Sequence, residues 1–383
     1  MKRILYITHV GEPGGAEFKM IDLCQTIDQP RSVLLFQHGT LEQILKKAGI
    51  ACSVLPMSPT TQAVRRTGGL WGMLRAIPGS LSMVRAVARH ARAFDVVVCF
   101  SQKSFVIAAL AKPFMRRPVC WFMNDILSRE HFNPFLVRML VALSRRSADY
   151  VVVNSQASLD AWLAVGGRNF RVGIVHPMTR EDVVLAQAQD SDKVRSLRRT
   201  FSPANRPLIG MFGRISPWKG QDVFLHAIAR LPEVNAIVAG GALFGEEAYA
   251  QRMYALAREL GIAQRVNFAG HVDEVAALMA ACDVVAHCST SPEPFGRVIV
   301  ESMFAGTPVI ATDAGGAREI VTHGVNGQLT PMRDVDALVA AIRRCLDDPQ
   351  WARELAERAR VQAQQKFSAR AMTSRFTAIL AAL

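Results

Sequence analysis

From residue 3 onward, short runs of β-branched and aromatic residues alternate with longer helical patterns, and the alternation runs its course twice. The first series reads "RILYIT", "SVLLFQ", "CSVLPM", "FDVVVCF", "VCWFM", "DYVVVNS" and "RVGIVHP". Helical patterns at 15–28, 41–48, 70–92, 104–112 and 134–147 fall between these runs. Such alternation predicts a parallel sheet with helices on both faces. Residues 181–205, "EDVVLAQAQDSDKVRSLRRTFSPAN", then break the pattern with a polar, charged, strand-free stretch. It restarts as "PLIGMFG", "NAIVAG", "RVNFAG", "DVVAHCS", "PVIATDA" and "GQLT".

The chain is therefore expected to form two doubly wound α/β domains, residues 1–183 and 206–365, joined by a linker over 184–205. The last residues, "FSARAMTSRFTAILAAL", set Phe367, Met372, Phe376, Ile379 and Leu380 on one helical face. Ligands of such sheets bind at the carboxyl ends of the strands, so the expected site lies where two such edges face each other.

Composition narrows the function. No apolar stretch approaches the ~20 residues of a membrane span. The opening "MKRILYITHVGEPGGAE" has too short an apolar run for a signal peptide and reads as a first strand, which predicts a cytoplasmic protein. The seven cysteines form no C-x-x-C pair or zinc-spaced cluster and read as reduced thiols. Residues 1–190 hold 23 Lys+Arg against 13 Asp+Glu, whereas the remainder holds 22 against 19. A basic first half suits an anionic partner: nucleic acid, phospholipid or a phosphorylated acceptor.

Three stretches carry chemistry. In "GMFGRISPWKGQDVFLHAI", a strand ends at Gly213, and Arg214 and Lys219 occupy the loop before a helix that starts near Gln221. A guanidinium fork, an ammonium and a helix N-terminus can converge on one diphosphate; a solvated basic loop is the plainer alternative. In "SPEPFGRVIVES", Pro292, Pro294 and Gly296 hold off helix until about Arg297. Glu293 then lies on the loop and Glu301 about one turn inside the helix. With the amides of Gly296, Arg297 and Val298, this arrangement can grip a polyhydroxylated ring and, one turn deeper, a vicinal diol such as a ribose. A dipole-favouring glutamate followed by a solvent-facing one is the plainer reading, although Glu301 sits in an otherwise apolar helix. In "GEPGGAEFKM", Gly11, Gly14 and Gly15 allow close backbone approach to a ligand, without matching G-x-G-x-x-G or a P-loop.

Taken together, Gly213-Arg214, Lys219-Gly220, Glu293 and Glu301 in "EPFGRVIVE", "AGTPVIATDAGGAREIV" and "GVNGQL" resemble family 4 of the retaining glycosyltransferases (glycosyltransferase group 1). The resemblance spans the chain and is strongest over 208–350. It implies the GT-B fold: two facing Rossmann-like domains, with the helix over 366–383 crossing back to the first. The second domain would bind a UDP- or GDP-linked sugar without a metal or other cofactor. Arg214 and Lys219 would hold the diphosphate, and Glu301 the ribose. Glu293 would contact the transferred sugar beside the amides of Phe295, Gly296 and Arg297. Loops near Arg265–Phe268 and His271 would flank the base. The first domain would bind a glycan or lipid-linked acceptor, with Gly14 and Gly15 near the donor phosphates and Asn124 and Asp125 near the donor sugar. The product would belong to polysaccharide, lipopolysaccharide or glycolipid synthesis.

Two places depart from the family pattern. Asn124-Asp125 stands where a His is common, and Asn cannot act as acid or base at neutral pH. His176-Pro177-Met178 replaces an expected Pro-Asn-Gly and reads as a loop or hinge. Asp334-Val335-Asp336 spells a D-x-D metal motif but precedes a helical pattern, so it reads as a helix cap. The basic, apolar-rich stretches "RRTGGLWGMLRAIPGSLSMVRAVARHARA", "FMRRP" and "FLVRMLVALSRRSA" add an anionic membrane surface to the expected partners, peripheral on the inner face of the cell membrane. A nucleotide-sugar epimerase of the same fold and a non-catalytic nucleotide-sugar-binding homologue remain alternatives. Nucleic-acid binding has only the charge in its favour, since no recognition motif is present.

Overall fold

The computed structural model describes residues 1–58, 77–128, 132–242 and 245–383. The helical pattern over 70–92 is described from residue 77, as the helix Ile77–Ala91; the first part of the basic stretch, residues 65–76, lies outside the described residues. The chain divides into two compact units, Met1–Met178 with Arg370–Leu383, and Thr179–Ala369.

In the first unit, β1 (Ile4–Thr8), β2 (Arg31–Leu35), β3 (Cys52–Val54), β4 (Val96–Cys99), β5 (Val119–Met123), β6 (Tyr150–Val153) and β7 (Val172–Ile174) make a parallel sheet. Its order is β3-β2-β1-β4-β5-β6-β7. Central strands such as β1 are buried at every position, as both faces of a parallel sheet covered by helices require. Phe105 stacks on Trp121 at 4.3 Å, and Trp162 meets Trp121 edge-on at 5.9 Å.

The second unit holds β8 (Leu208–Phe212), β9 (Asn235–Ala239), β10 (Val266–Gly270), β11 (Val284–His287), β12 (Val309–Thr312) and β13 (Gln328–Thr330). They run parallel in the order β10-β9-β8-β11-β12-β13. Both sheets thus reverse direction of growth beside their first strand, between β1 and β4 and between β8 and β11. In doubly wound folds, that reversal opens a crevice at the carboxyl ends of the strands.

The stretch read as a linker is helical. Glu181–Gln189 and Ser191–Phe201 pack as part of the second unit. The Arg198 guanidinium donates to Ala281 O (2.9 Å) and pairs with Asp283 (2.6 Å), whose carboxylate also accepts from Leu208 N at the start of β8. Arg198 thus ties the second of these helices to the residues before β8 and β11, although none of that helix's residues is buried.

The chain end is also finer than one helix. Pro349–Phe367 and Ala369–Ala382 are separate helices that break at Ser368. Phe367 packs on Phe295 within the second unit (5.5 Å). Beyond the break, Phe376 packs on Phe122 (5.4 Å), Thr373 donates to Thr26 (3.1 Å) and Lys2 donates to Leu380 O (2.8 Å), all within the first unit.

Candidate active site

The second unit's crevice is built by the loops that follow β8 and β11. After β8, Gly213 turns at φ 129°, Pro217–Lys219 makes one 3-10 turn, and Gly220 (φ 76°) starts the helix Gln221–Ala229. Gly220 cannot be replaced without strain: a Cβ there would stand 2.0 Å from Cys288 O, and its φ is left-handed. Thr290 N donates to Trp218 O (2.8 Å), so the two loops are tied together. Buried Gln221 donates to Arg214 O (2.9 Å) and fixes the turn from beneath. Arg214 and Lys219 lie over one indole, with Arg214 Cζ 5.9 Å and Lys219 Nζ 4.4 Å from the Trp218 ring centroid.

Lys219 Nζ reaches Glu293 Oε1 at 2.6 Å, and both side chains are largely buried. The same oxygen accepts from His287 Nε2 (2.9 Å) and from Ser289 Oγ. Burial opposes ionisation of Glu293, but Lys219 and then His287 outweigh it and hold the carboxyl well below the ordinary carboxylate range. Glu293 is therefore a buried carboxylate with its charge balanced from one side.

Gly296, at φ 109°, precedes the helix Arg297–Ala305, as the two prolines and the glycine predict. Phe295 is buried in the apolar cluster beneath, so only its backbone is available to a ligand. Glu301 lies one turn along and pairs with Arg297 at 3.4 Å; both side chains are about one-fifth exposed. The Gly315-Gly316 pair after β12 has a steric reason. A Cβ on Gly315 would stand 2.4 Å from Glu293 O, and one on Gly316 2.5 Å from Phe295 Cα, while Gly316 N donates to Glu293 O (2.8 Å). That loop clamps the backbone on which Glu293 is mounted.

His271 follows β10 at the same carboxyl edge and is exposed, 3.3 Å from Asp273. Arg265 precedes β10 and stands at the opposite edge. Its guanidinium donates to Ile228 O, Leu231 O and Val234 O (2.8–3.0 Å), so it clamps the end of a helix instead of flanking a base.

In the first unit, Gly14, Gly15, Asn124 and Asp125 also lie on loops after strands, but their polar groups are largely engaged. Gly14 N donates to Glu17 Oε2 (3.1 Å), and Glu17 accepts from Thr8 Oγ1 (2.9 Å). Burial raises the Glu17 carboxyl above its ordinary value, against the pull of these hydrogen bonds. Gly15 has open space where a Cβ would stand. Asn124 Oδ1 accepts from Lys19 Nζ, and its Nδ2 donates to Phe100 O (2.7 Å). Both ends of that carboxamide have partners inside the first unit, while the residue stays partly exposed. Asp125 accepts from Gln102. Lys19 is itself buried, donates to Asn154 Oδ1 (2.5 Å) and lies 4.0 Å from the Phe122 ring centroid. His176 Nδ1 meets Asn154 O at 2.9 Å.

The sequence reading did not single out His287, Ser289, Trp218, Glu17 or Lys19. Two polar residues ending an apolar strand, His287 and Ser289, were the available signal. Asp334 caps the helix Val335–Asp347 by accepting from Ala337 N (2.9 Å), and Asp336 pairs with Arg230 (2.5 Å). The D-x-D is a helix start. No helix among the described residues is long and apolar enough to cross a membrane.

Comparison with known proteins agrees with this architecture. Residues 193–365 match the glycosyl transferases group 1 family, and residues 34–177 match a glycosyl transferase 4-like domain. Anabaena HepE, crystallised with UDP and glucose and with UDP-glucose, is 36% identical over the whole of both chains, with a TM-score of 0.90. The chain belongs to the group 1, family 4 glycosyltransferases and has the GT-B fold. Among curated relatives, a lipopolysaccharide core biosynthesis glycosyltransferase of Rhizobium meliloti is 35% identical over 180 residues, 47% of this chain and 51% of its own. A D-inositol 3-phosphate glycosyltransferase of Mycolicibacterium smegmatis is 33% identical over 204 residues, 52% of this chain and 46% of its own. The chain thus spans about half the length of the curated relatives it matches.

Proposed function

We propose that the protein is a retaining, metal-independent glycosyltransferase that moves a sugar from a UDP- or GDP-linked donor to a glycan or lipid-linked acceptor in cell-surface polysaccharide, lipopolysaccharide or glycolipid synthesis. The observation that carries the reading is the buried Lys219–Glu293 pair at the sheet's reversal point, beside Arg214 and two helix starts. The likeness to a chain crystallised with UDP-glucose supports it.

In this reading, Arg214, Lys219 and the N-terminus of the helix Gln221–Ala229 take the diphosphate and stabilise the charge that grows on it as the anomeric C–O bond breaks. Glu301 accepts from the ribose diol. Glu293 and the amides of Phe295, Gly296 and Arg297 hold the transferred sugar, and His271 flanks the base. The acceptor oxygen bonds to the anomeric carbon on the face the diphosphate leaves, and its proton passes to a departing phosphate oxygen. Gly15, with open space at its Cα, remains a place for close ligand approach on the first unit. Exposed Leu110 and Phe114, on the helix Gln102–Met115 that ends at Arg116, give that unit a surface suited to an anionic membrane and a lipid-linked acceptor.

The test is release of nucleoside diphosphate from a panel of nucleotide sugars, with and without membrane extract. Release that rises with extract, persists in EDTA and disappears in Glu301→Ala is the expected result. Binding without release under every acceptor condition would overturn the reading in favour of a non-catalytic homologue, and conversion of the nucleotide sugar without acceptor would favour an epimerase.

A further inference from the structure

His287 is the last residue of β11 and is buried, with a side chain 4% exposed. Its Nε2 faces Glu293 Oε1 at 2.9 Å and Ser289 Oγ at 3.3 Å. A carboxylate can only accept, so the proton is on Nε2. The other ring nitrogen, Nδ1, is buried with no hydrogen-bond partner among the described residues. An imidazole kept for packing alone would be a poor choice here: it leaves one polar atom unmet, a cost that a leucine of similar size avoids. Its ring engages polar groups only through Nε2, at the Glu293 oxygen that also takes Lys219 and at the Ser289 hydroxyl that shares that oxygen.

Three donors therefore converge on Oε1 of Glu293, while Oε2 meets no donor among the described residues. A carboxylate anchored through one oxygen cannot spin about its terminal torsion without losing all three bonds. That torsion is otherwise broad and soft. The anchor also survives a shift of any one donor. If Lys219 turns from Glu293 toward a diphosphate, His287 and Ser289 still hold Oε1. Neither is a mobile chain: His287 sits at a strand end whose carbonyl accepts from Thr312 Oγ1 (3.1 Å).

We propose that His287, with Ser289, is a positioning residue for the transfer reaction, donating from Nε2 to Glu293 Oε1 so that Oε2 stays aimed at a hydroxyl of the transferred sugar. The proposal rests on the donor-site reading above. It separates two functions of the crevice: Arg214 and Lys219 serve the diphosphate, and the His287–Ser289 anchor serves the sugar. Loss of the anchor should therefore weaken sugar handling and leave the nucleotide half alone.

The experiment compares wild type with His287→Leu, His287→Gln and Ser289→Ala. The measurements are UDP affinity by calorimetry, kcat and KM for UDP-glucose (or, should that be inert, the nucleotide sugar that wild type turns over fastest), and Tm. His287→Leu should lower kcat at least tenfold, with UDP affinity within about twofold of wild type and no fall in Tm. His287→Gln, which restores an N–H donor, should recover most of that loss, and Ser289→Ala should lower kcat by a smaller factor. Equal kcat in wild type and His287→Leu would overturn the proposal. So would a parallel fall of Tm, UDP affinity and kcat with no recovery by glutamine, which is the signature of a packing role. Wild-type protein that turns over no nucleotide sugar would overturn the donor-site reading itself, and with it this extension.

Discussion

Glu17 in the first unit and Glu293 in the second are both buried carboxyl groups just past the carboxyl edge of a parallel sheet, and their environments drive them in opposite directions. Glu17 is met by a hydroxyl and a backbone amide, and burial prevails, so its carboxyl rises above the ordinary range. Glu293 is met by an ammonium at 2.6 Å, and that charge with His287 prevails over burial. The first unit's buried ammonium, Lys19, is turned to the amide oxygens of Asn124 and Asn154 and to an aromatic face. One edge thus fixes its loops with mostly neutral hydrogen bonds, and the other concentrates opposite charges where a ligand can exchange places with one of them. Depth of burial is similar; the placement of the amine decides the outcome.

The comparison is broken most severely by Lys219→Ala. It strands a buried carboxylate and removes a diphosphate ligand, so diphosphate release should fall about 100-fold or more, with a stability loss of about 3 kcal/mol read from the urea midpoint. The pH dependence should also move. In wild type the Glu293 carboxyl is depressed, so its contribution is full above the unfolded carboxylate value and is lost progressively as pH falls from there toward the folded value. Without Lys219, burial raises the carboxyl, so the deficit of the variant against wild type should be greatest near pH 7 and shrink as pH falls. A denaturation profile between pH 3 and 7 identical to wild type would contradict this account.

Lys19→Met tests the first edge. Two buried carboxamide oxygens lose a donor, which should cost about 2 kcal/mol and lower Tm. UDP affinity, assigned to the second unit, should stay within about twofold of wild type; a tenfold loss would show that the two edges share the nucleotide. The mildest test is Glu17→Gln. Because the folded value is raised, the wild-type fold is favoured at low pH and loses that contribution as pH rises through it. The variant should therefore gain on wild type between pH 4 and 8, by on the order of 1 kcal/mol. A difference in Tm that does not change with pH would remove Glu17 from the comparison.

Much of this was written in local pattern. Every strand of both sheets coincides with a quoted run, and the central strands, buried on both faces, need an apolar run wherever they lie in the fold. The loop before Arg297 and the close packing of Gly315 and Gly316 follow from proline and glycine geometry, which is equally local. The 184–205 stretch, read as polar and strand-free, is helical, and Arg198 ties it to Asp283 through a pairing that local pattern does not show.

The sequence by itself determined the strand–helix alternation, the family motif and the positions of Arg214, Lys219, Glu293 and Glu301 at the ends of elements. Those features depend on residue types and short spacings alone. Only the tertiary structure decided that Lys219 and His287 meet on one oxygen of Glu293, that Asn124 accepts from Lys19, and that Arg265 lies at the edge of the sheet opposite His271. Each of these outcomes depends on which strands become neighbours, and strand order is set by how a whole sheet packs its helices.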